Sequence, residues 1–93
     1  MEIESIRHKA LRKFVETGKS EGVIEPDRVQ DMIAFILAAG TFEELGVPPN
    51  YDFHALKGNR KGEFAMTVTK NWRLTFTKMD EQTIADLDLE DYH

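Results

Sequence analysis

The sequence predicts an α+β domain in which two N-terminal helices pack on a small, mainly antiparallel sheet. Two observations carry this expectation. Up to about residue 40 the apolar side chains recur at helical spacing, and from residue 51 onward they alternate with polar ones at period two. The alternating runs are separated by short turn-forming stretches and not by helices, which suits a meander of hairpins. At 93 residues the chain has room for one core, so residues 1–93 are expected to form a single domain.

The first element is short. Glu2 to Ile6 has the size of an edge strand, with only Ile3 and Ile6 apolar. From Arg7 to Thr17, Ala10, Leu11, Phe14 and Val15 fall on one helical stripe, and Gly18 is a natural stop. Pro26 and Asp27 suit the first turn of a second helix, where a missing N–H costs nothing and a negative charge meets the helix dipole. Val29, Met32, Ile33, Ile36 and Leu37 then repeat at i, i+3, i+4, i+7 and i+8, a stripe wide enough to lie across a sheet, and Gly40 closes it. Thr41-Phe42-Glu43-Glu44 has capping-box spacing and predicts one further turn ending near Gly46, before Pro48-Pro49-Asn50 breaks the chain.

In the second half, Tyr51, Phe53 and Ala55 alternate with Asp52, His54 and Leu56, placing His54 opposite the two rings. Lys57 to Gly62 is a glycine-bounded turn that would carry Lys57, Arg60 and Lys61 at one tip. Phe64, Met66 and Val68 predict a strand, and Lys70-Asn71 a tight connection into Asn71–Phe76. There Trp72, Leu74 and Phe76 face one side, and Arg73, Thr75 and Thr77 the other, so Arg73 is expected outside the core. Residues 79–82 form the next hairpin turn, and Ala85, Leu87 and Leu89 define the last strand.

The formal net charge is −5, unevenly spread. Residues 51–78 hold six basic groups against Asp52 and Glu63, whereas residues 79–93 hold six acids and no Lys or Arg. A basic middle between acidic ends fits either a phosphate-binding face or ordinary cross-strand charge pairing. Without cysteine, neither a disulfide framework nor a thiolate metal site is open to the chain. The first residues lack the pattern of a signal peptide, and no apolar run reaches membrane-spanning length, so a cytoplasmic protein with no membrane contact is expected.

The ionisable groups suggest chemistry. Arg73 on a stiff strand offers a planar, permanently charged fork suited to phosphate or carboxylate, although a solvated strand arginine would look the same. With His54, Asp91, Tyr92 and His93 it makes a set fit for general acid–base work on a phosphodiester. The three histidines lack metal-ligand spacing, with His8 placed apart in the first helix.

Four motifs in order carry a family resemblance: His54-Ala55-Leu56-Lys57-Gly58, Arg60-Lys61-Gly62, Asn71-Trp72-Arg73-Leu74-Thr75-Phe76 and Glu90-Asp91-Tyr92-His93. Together with the opening Ile6-Arg7-His8-Lys9-Ala10-Leu11, Phe14 and Gly18, they resemble the HigB branch of the RelE/ParE toxin superfamily over nearly the whole chain. The resemblance implies a RelE-like, microbial-ribonuclease-type fold. It also implies a type II toxin that cuts messenger RNA in the ribosomal A site through attack of the ribose 2′-hydroxyl, with no metal or other cofactor. Carried over by position, His54, Asp91, Tyr92 and His93 match the catalytic set and Arg73 the phosphate-contacting arginine. His54 or His93 would be the base, with the other or Tyr92 protonating the leaving oxygen and Asp91 orienting a neighbour. Lys57, Arg60 and Lys61 are assigned to RNA backbone contact. The implied partners are the ribosome with its message and a helix-turn-helix, HigA-like antitoxin, through which the toxin reaches operator DNA; Phe42, Leu45 and Val47 are candidate contacts for it where exposed, although each reads first as a core residue. In one respect the chain departs from the family: such toxins are usually basic, whereas this isoelectric point is near 5.1. Two alternatives follow, a ParE-like toxin that poisons DNA gyrase, which would need no acid–base pair, and a weakened toxin serving mainly as co-repressor.

Overall fold

The computed structural model describes residues 1–47 and 51–92, and the expected break at Pro48-Pro49-Asn50 lies outside them. Five strands form one mixed sheet in the order β1-β5-β4-β3-β2, with β1 Glu2–Ile3, β2 His54–Ala55, β3 Glu63–Thr67, β4 Trp72–Asp80 and β5 Thr83–Asp91. Strands β2 to β5 are the expected antiparallel meander. Strand β1 runs parallel to β5 at the far edge, so the two helices follow a strand and do not open the chain. Ser5 secures this edge: its hydroxyl accepts from Asp86 N–H at 2.8 Å and its carbonyl from Leu87 N–H at 3.0 Å. Asp86 has positive φ (55°) where the β4–β5 register shifts between Thr75 and Thr77, a bulge that turns the last strand.

Helix α1 spans Lys9–Thr17 and α2 Pro26–Ala38. His8, expected inside the first helix, is instead its N-cap: Nδ1 accepts from Leu11 N–H at 3.0 Å, satisfying one of the donors a helix start leaves open. Gly18 (φ 81°) ends α1 in the left-handed region, its N–H returning to the Phe14 carbonyl. Helix α2 stops at Ala38 with extended Ala39 as cap, two residues before Gly40. Phe42–Gly46 is the expected single turn, a 3-10 helix closed by a Thr41–Glu44 capping box.

The core lies between the helices and one sheet face. Val29, Met32, Ile33 and Ile36 of α2 and Leu11 of α1 bury against Met66, Leu74, Phe76, Leu87 and Leu89. Phe42 stands edge-on to Phe53, Phe64 and Phe76 at 5.4, 4.7 and 6.3 Å, aromatic geometry that adds to the burial. Leu37 and Val15 belong to the expected stripes but remain about half exposed. With Phe14, Ile33 and Ala34 they line an open groove of about 380 Å³ between the helices. Phe42 and Leu45 are buried, leaving Val47 as the exposed member of the three proposed partner contacts.

Candidate active site

The face of the sheet away from the helices carries the polar groups. Cross-strand register places His54, Ala65, Thr75 and Asp88 in one row, and Thr67, Arg73 and Glu90 in the next. Paired residues share a face, so His54 and Arg73 lie on the same side, two strand spacings or roughly 10 Å apart across the sheet.

Strand β2 is only two residues long because Asp52 adopts positive φ (48°), which interrupts the alternation expected from Tyr51 to Leu56. That conformation brings the Asp52 carbonyl to 2.7 Å from His54 Nδ1. A carbonyl can only accept, so Nδ1 is the donor in this contact, and in the neutral form of the ring that leaves the lone pair on Nε2. The His54 side chain is half exposed.

Glu90 is the hub of this face. Arg60 donates to both its oxygens, from Nη1 at 2.8 Å and Nη2 at 2.6 Å, and Thr75 Oγ1 donates at 2.6 Å. Arg73 Nη2 makes a longer contact at 3.4 Å. The Arg60 guanidinium, helped by Thr75 and Arg73 against the cost of burial, holds the Glu90 carboxyl down at about 2. Arg60 also grips Glu63 at 2.8 Å, and the two carboxylates together hold its proton more tightly than usual.

The expectations for this face are corrected at three points. Arg60 does not stand with Lys57 and Lys61 as a free cation at the turn: the 3-10 turn Gly58–Arg60 folds it back onto the sheet. Arg73 does stand on the face opposite the apolar core, but it is not solvated there: its side chain is 18% exposed and its Nε is buried with no hydrogen-bond partner among the described residues. Thr75 is 1% exposed, because its hydroxyl is bound beneath the Glu90–Arg60 pair.

Arg73 stacks on Tyr92, its guanidinium carbon 4.7 Å from the ring centre, and Tyr92 N–H is held by the Asn71 carbonyl at 2.9 Å. Tyr92 and Arg73 are therefore brought together, with His54 on the same face. Asp91 shares its row with Trp72, so its side chain leaves on the helix-facing side, away from Arg73 and Glu90. His93 lies outside the described residues. Glu90 was not among the site residues expected, although counting outward from the Asp80–Thr83 turn pairs it with Arg73. Among the described residues no three His, Asp or Glu side chains group as metal ligands. The described cavities line the helices and the β1 edge and do not coincide with this cluster.

A family model described as a RelE-like toxin of the type II toxin–antitoxin system HigB matches residues 4–93. The chain belongs to this HigB family of RelE-like toxins. It is 38% identical to a Proteus vulgaris protein named Endoribonuclease HigB over 93 residues, 98% of this chain and 99% of that one. The crystal structure of YafQ from E. coli strain BL21(DE3) superposes on this HigB-family toxin with a TM-score of 0.66 at 16% identity, covering 97% of this chain and 91% of that chain. A histidine-to-glutamine mutant of E. coli YafQ gives 0.65 at 17% with the same coverage. At such identities the likeness shows the shared α+β fold, two helices on a five-stranded sheet.

Proposed function

We propose that this HigB-family toxin is a messenger-RNA endoribonuclease whose catalytic surface is the open face of the sheet. The observation that carries the reading is Arg73, fixed between Glu90 and the Tyr92 ring, on the same face as a His54 whose Nε2 is available as a base. Full-length similarity to a protein named as an endoribonuclease supports it.

The chemistry needs only groups on this face and the chain end. A ribose 2′-hydroxyl gives its proton to His54 Nε2 and attacks the adjacent phosphorus, the P–O5′ bond breaks, and the products are a 2′,3′-cyclic phosphate and a 5′-hydroxyl. Arg73 stabilises the charge gathering on the phosphoryl oxygens, a task suited to a fork held in place beforehand. The second proton, to the leaving 5′-oxygen, comes from His93 or Tyr92. Lys57 and Lys61 are exposed beside the site and bind backbone phosphates without selecting sequence. Asp91, on the other side of the sheet, fixes the chain end that carries Tyr92 and His93. The substrate is message in the ribosomal A site, and a HigA-like helix-turn-helix antitoxin is the partner that restrains the toxin and links it to operator DNA.

The test is induction of wild type, Arg73→Ala and His54→Ala in cells without antitoxin, followed by mapping of message 5′ ends. Growth arrest with new in-frame ends that both substitutions abolish is the expected result. Arrest with DNA damage and intact messages would replace the nuclease with a gyrase poison, and no arrest in wild type would favour a co-repressor.

A further inference from the structure

Arg60 and Arg73 share one carboxylate on unequal terms. Glu90 is the direct cross-strand partner of Arg73, and an arginine facing a glutamate across an antiparallel pair is placed to close a two-point ion pair. Here that pair does not form. Both Glu90 oxygens are taken by Arg60 at 2.8 and 2.6 Å, Thr75 adds a third bond, and one Arg73 nitrogen remains at 3.4 Å. Arg60 is itself filled by Glu63, with Nε at 3.4 Å and Nη2 at 2.8 Å from that carboxylate. Arg73 rests its flat face on Tyr92, its side chain keeps 18% exposure, and its buried Nε has no hydrogen-bond partner among the described residues.

We infer that Arg60 is a positioning residue, a decoy cation that holds the Glu90 carboxylate so that Arg73 stays open to a substrate phosphate. It rests on the reading of Arg73 as the phosphate-binding group. The consequence reverses the role that sequence suggests for Arg60: it touches no RNA, and its value lies in the carboxylate it occupies. A phosphate approaching Arg73 then competes with one long contact and not with a closed fork-to-fork pair. The same arrangement accommodates a glutamate in a phosphate site, since the two arginines are matched by Glu63 and Glu90 but only Arg60 is committed.

The test is a double-mutant cycle read as cleavage by the purified full chain on ribosomes programmed with a defined message. In Arg60→Gln, Glu90 swings onto Arg73, and kcat/KM falls roughly tenfold or more, chiefly through KM, as expected when a hydrogen bond to a charged group must be broken at each encounter. Glu90→Gln added to Arg60→Gln removes the competitor and brings kcat/KM back to within about threefold of wild type. If the double variant is no faster than Arg60→Gln, Arg60 either contacts RNA or merely pins its turn, and the inference fails; an Arg60→Gln enzyme with wild-type KM overturns it equally. Urea titration checks that each variant is folded, and Arg60→Lys, which grips one oxygen in place of two, replaces Arg60→Gln if the latter does not fold, with rescue by Glu90→Gln read in the same way. Arg73→Ala runs alongside: full activity there defeats the phosphate-binding reading itself, whatever Arg60 does.

Discussion

The two faces of the sheet are held by different forces. On the helix-facing side Met66, Leu74, Phe76, Leu87 and Leu89 meet α1, α2 and the Phe42 ring in one buried apolar layer. On the other side Thr75 is just as buried, yet it lies under charge-assisted hydrogen bonds that link Arg60, Glu63, Glu90 and Arg73. The first face is insensitive to pH because apolar side chains do not titrate. The second, built on ion pairs, responds to pH and to salt screening, and under the proposed function it is the one where a substrate phosphate would meet Arg73. Under that reading, stability and reactivity are carried by opposite sides of the same strands.

Substitutions should separate the two. Phe76→Ala removes a ring in contact with Phe42 and Phe53, and urea unfolding should show a loss of about 3–5 kcal/mol, while cleavage per folded molecule stays near wild type. Glu90→Ala should cost less, about 1–3 kcal/mol, because it strips Arg60 and Thr75 of a shared acceptor in a site that is still one-fifth exposed. A pH series sharpens the contrast. Glu90 holds its proton less tightly folded than unfolded, so its contribution is complete above the ordinary carboxylate value near 4.5 and fades as pH falls toward about 2. Acid titration of stability in Glu90→Gln should lack that loss, of the order of 1–2 kcal/mol after allowance for solvent screening. Smallest on the scale, His8→Ala should lower the melting temperature by the equivalent of about 1 kcal/mol through loss of the α1 cap, without touching cleavage.

Much of the helix-facing side was legible in the sequence, since period alone identifies which residues turn inward. The stripe on α2, Leu37 excepted, and the alternation of Leu74 and Phe76 appear as expected, and the capping box at Thr41–Glu44 forms the turn it predicts. Strand β1 was visible as an edge, but its parallel pairing with β5 was not, because Ile3 and Ile6 say nothing about direction. The polar side was legible only in part. His54 and Arg73 fall on one face by alternation, and Tyr92 joins them. What period could not show is that Arg60 reaches back across the sheet, or that Thr75, on the outward side, would be sealed beneath Glu90. Those facts depend on side-chain length and on charges far apart in the chain. The apparent surplus of positive charge in residues 51–78 is likewise reduced in space by Glu90, which the sequence assigns to the acidic end.

The most direct measurement is the single-turnover rate of message cleavage on programmed ribosomes by Arg73→Ala, with urea unfolding run on the same preparation. A rate roughly 10²–10³-fold below wild type, with stability changed by no more than about 1 kcal/mol, is the predicted result for a preorganised charge lost from the transition state. An unchanged rate in a protein of unchanged stability would contradict it and remove the open face of the sheet from the chemistry.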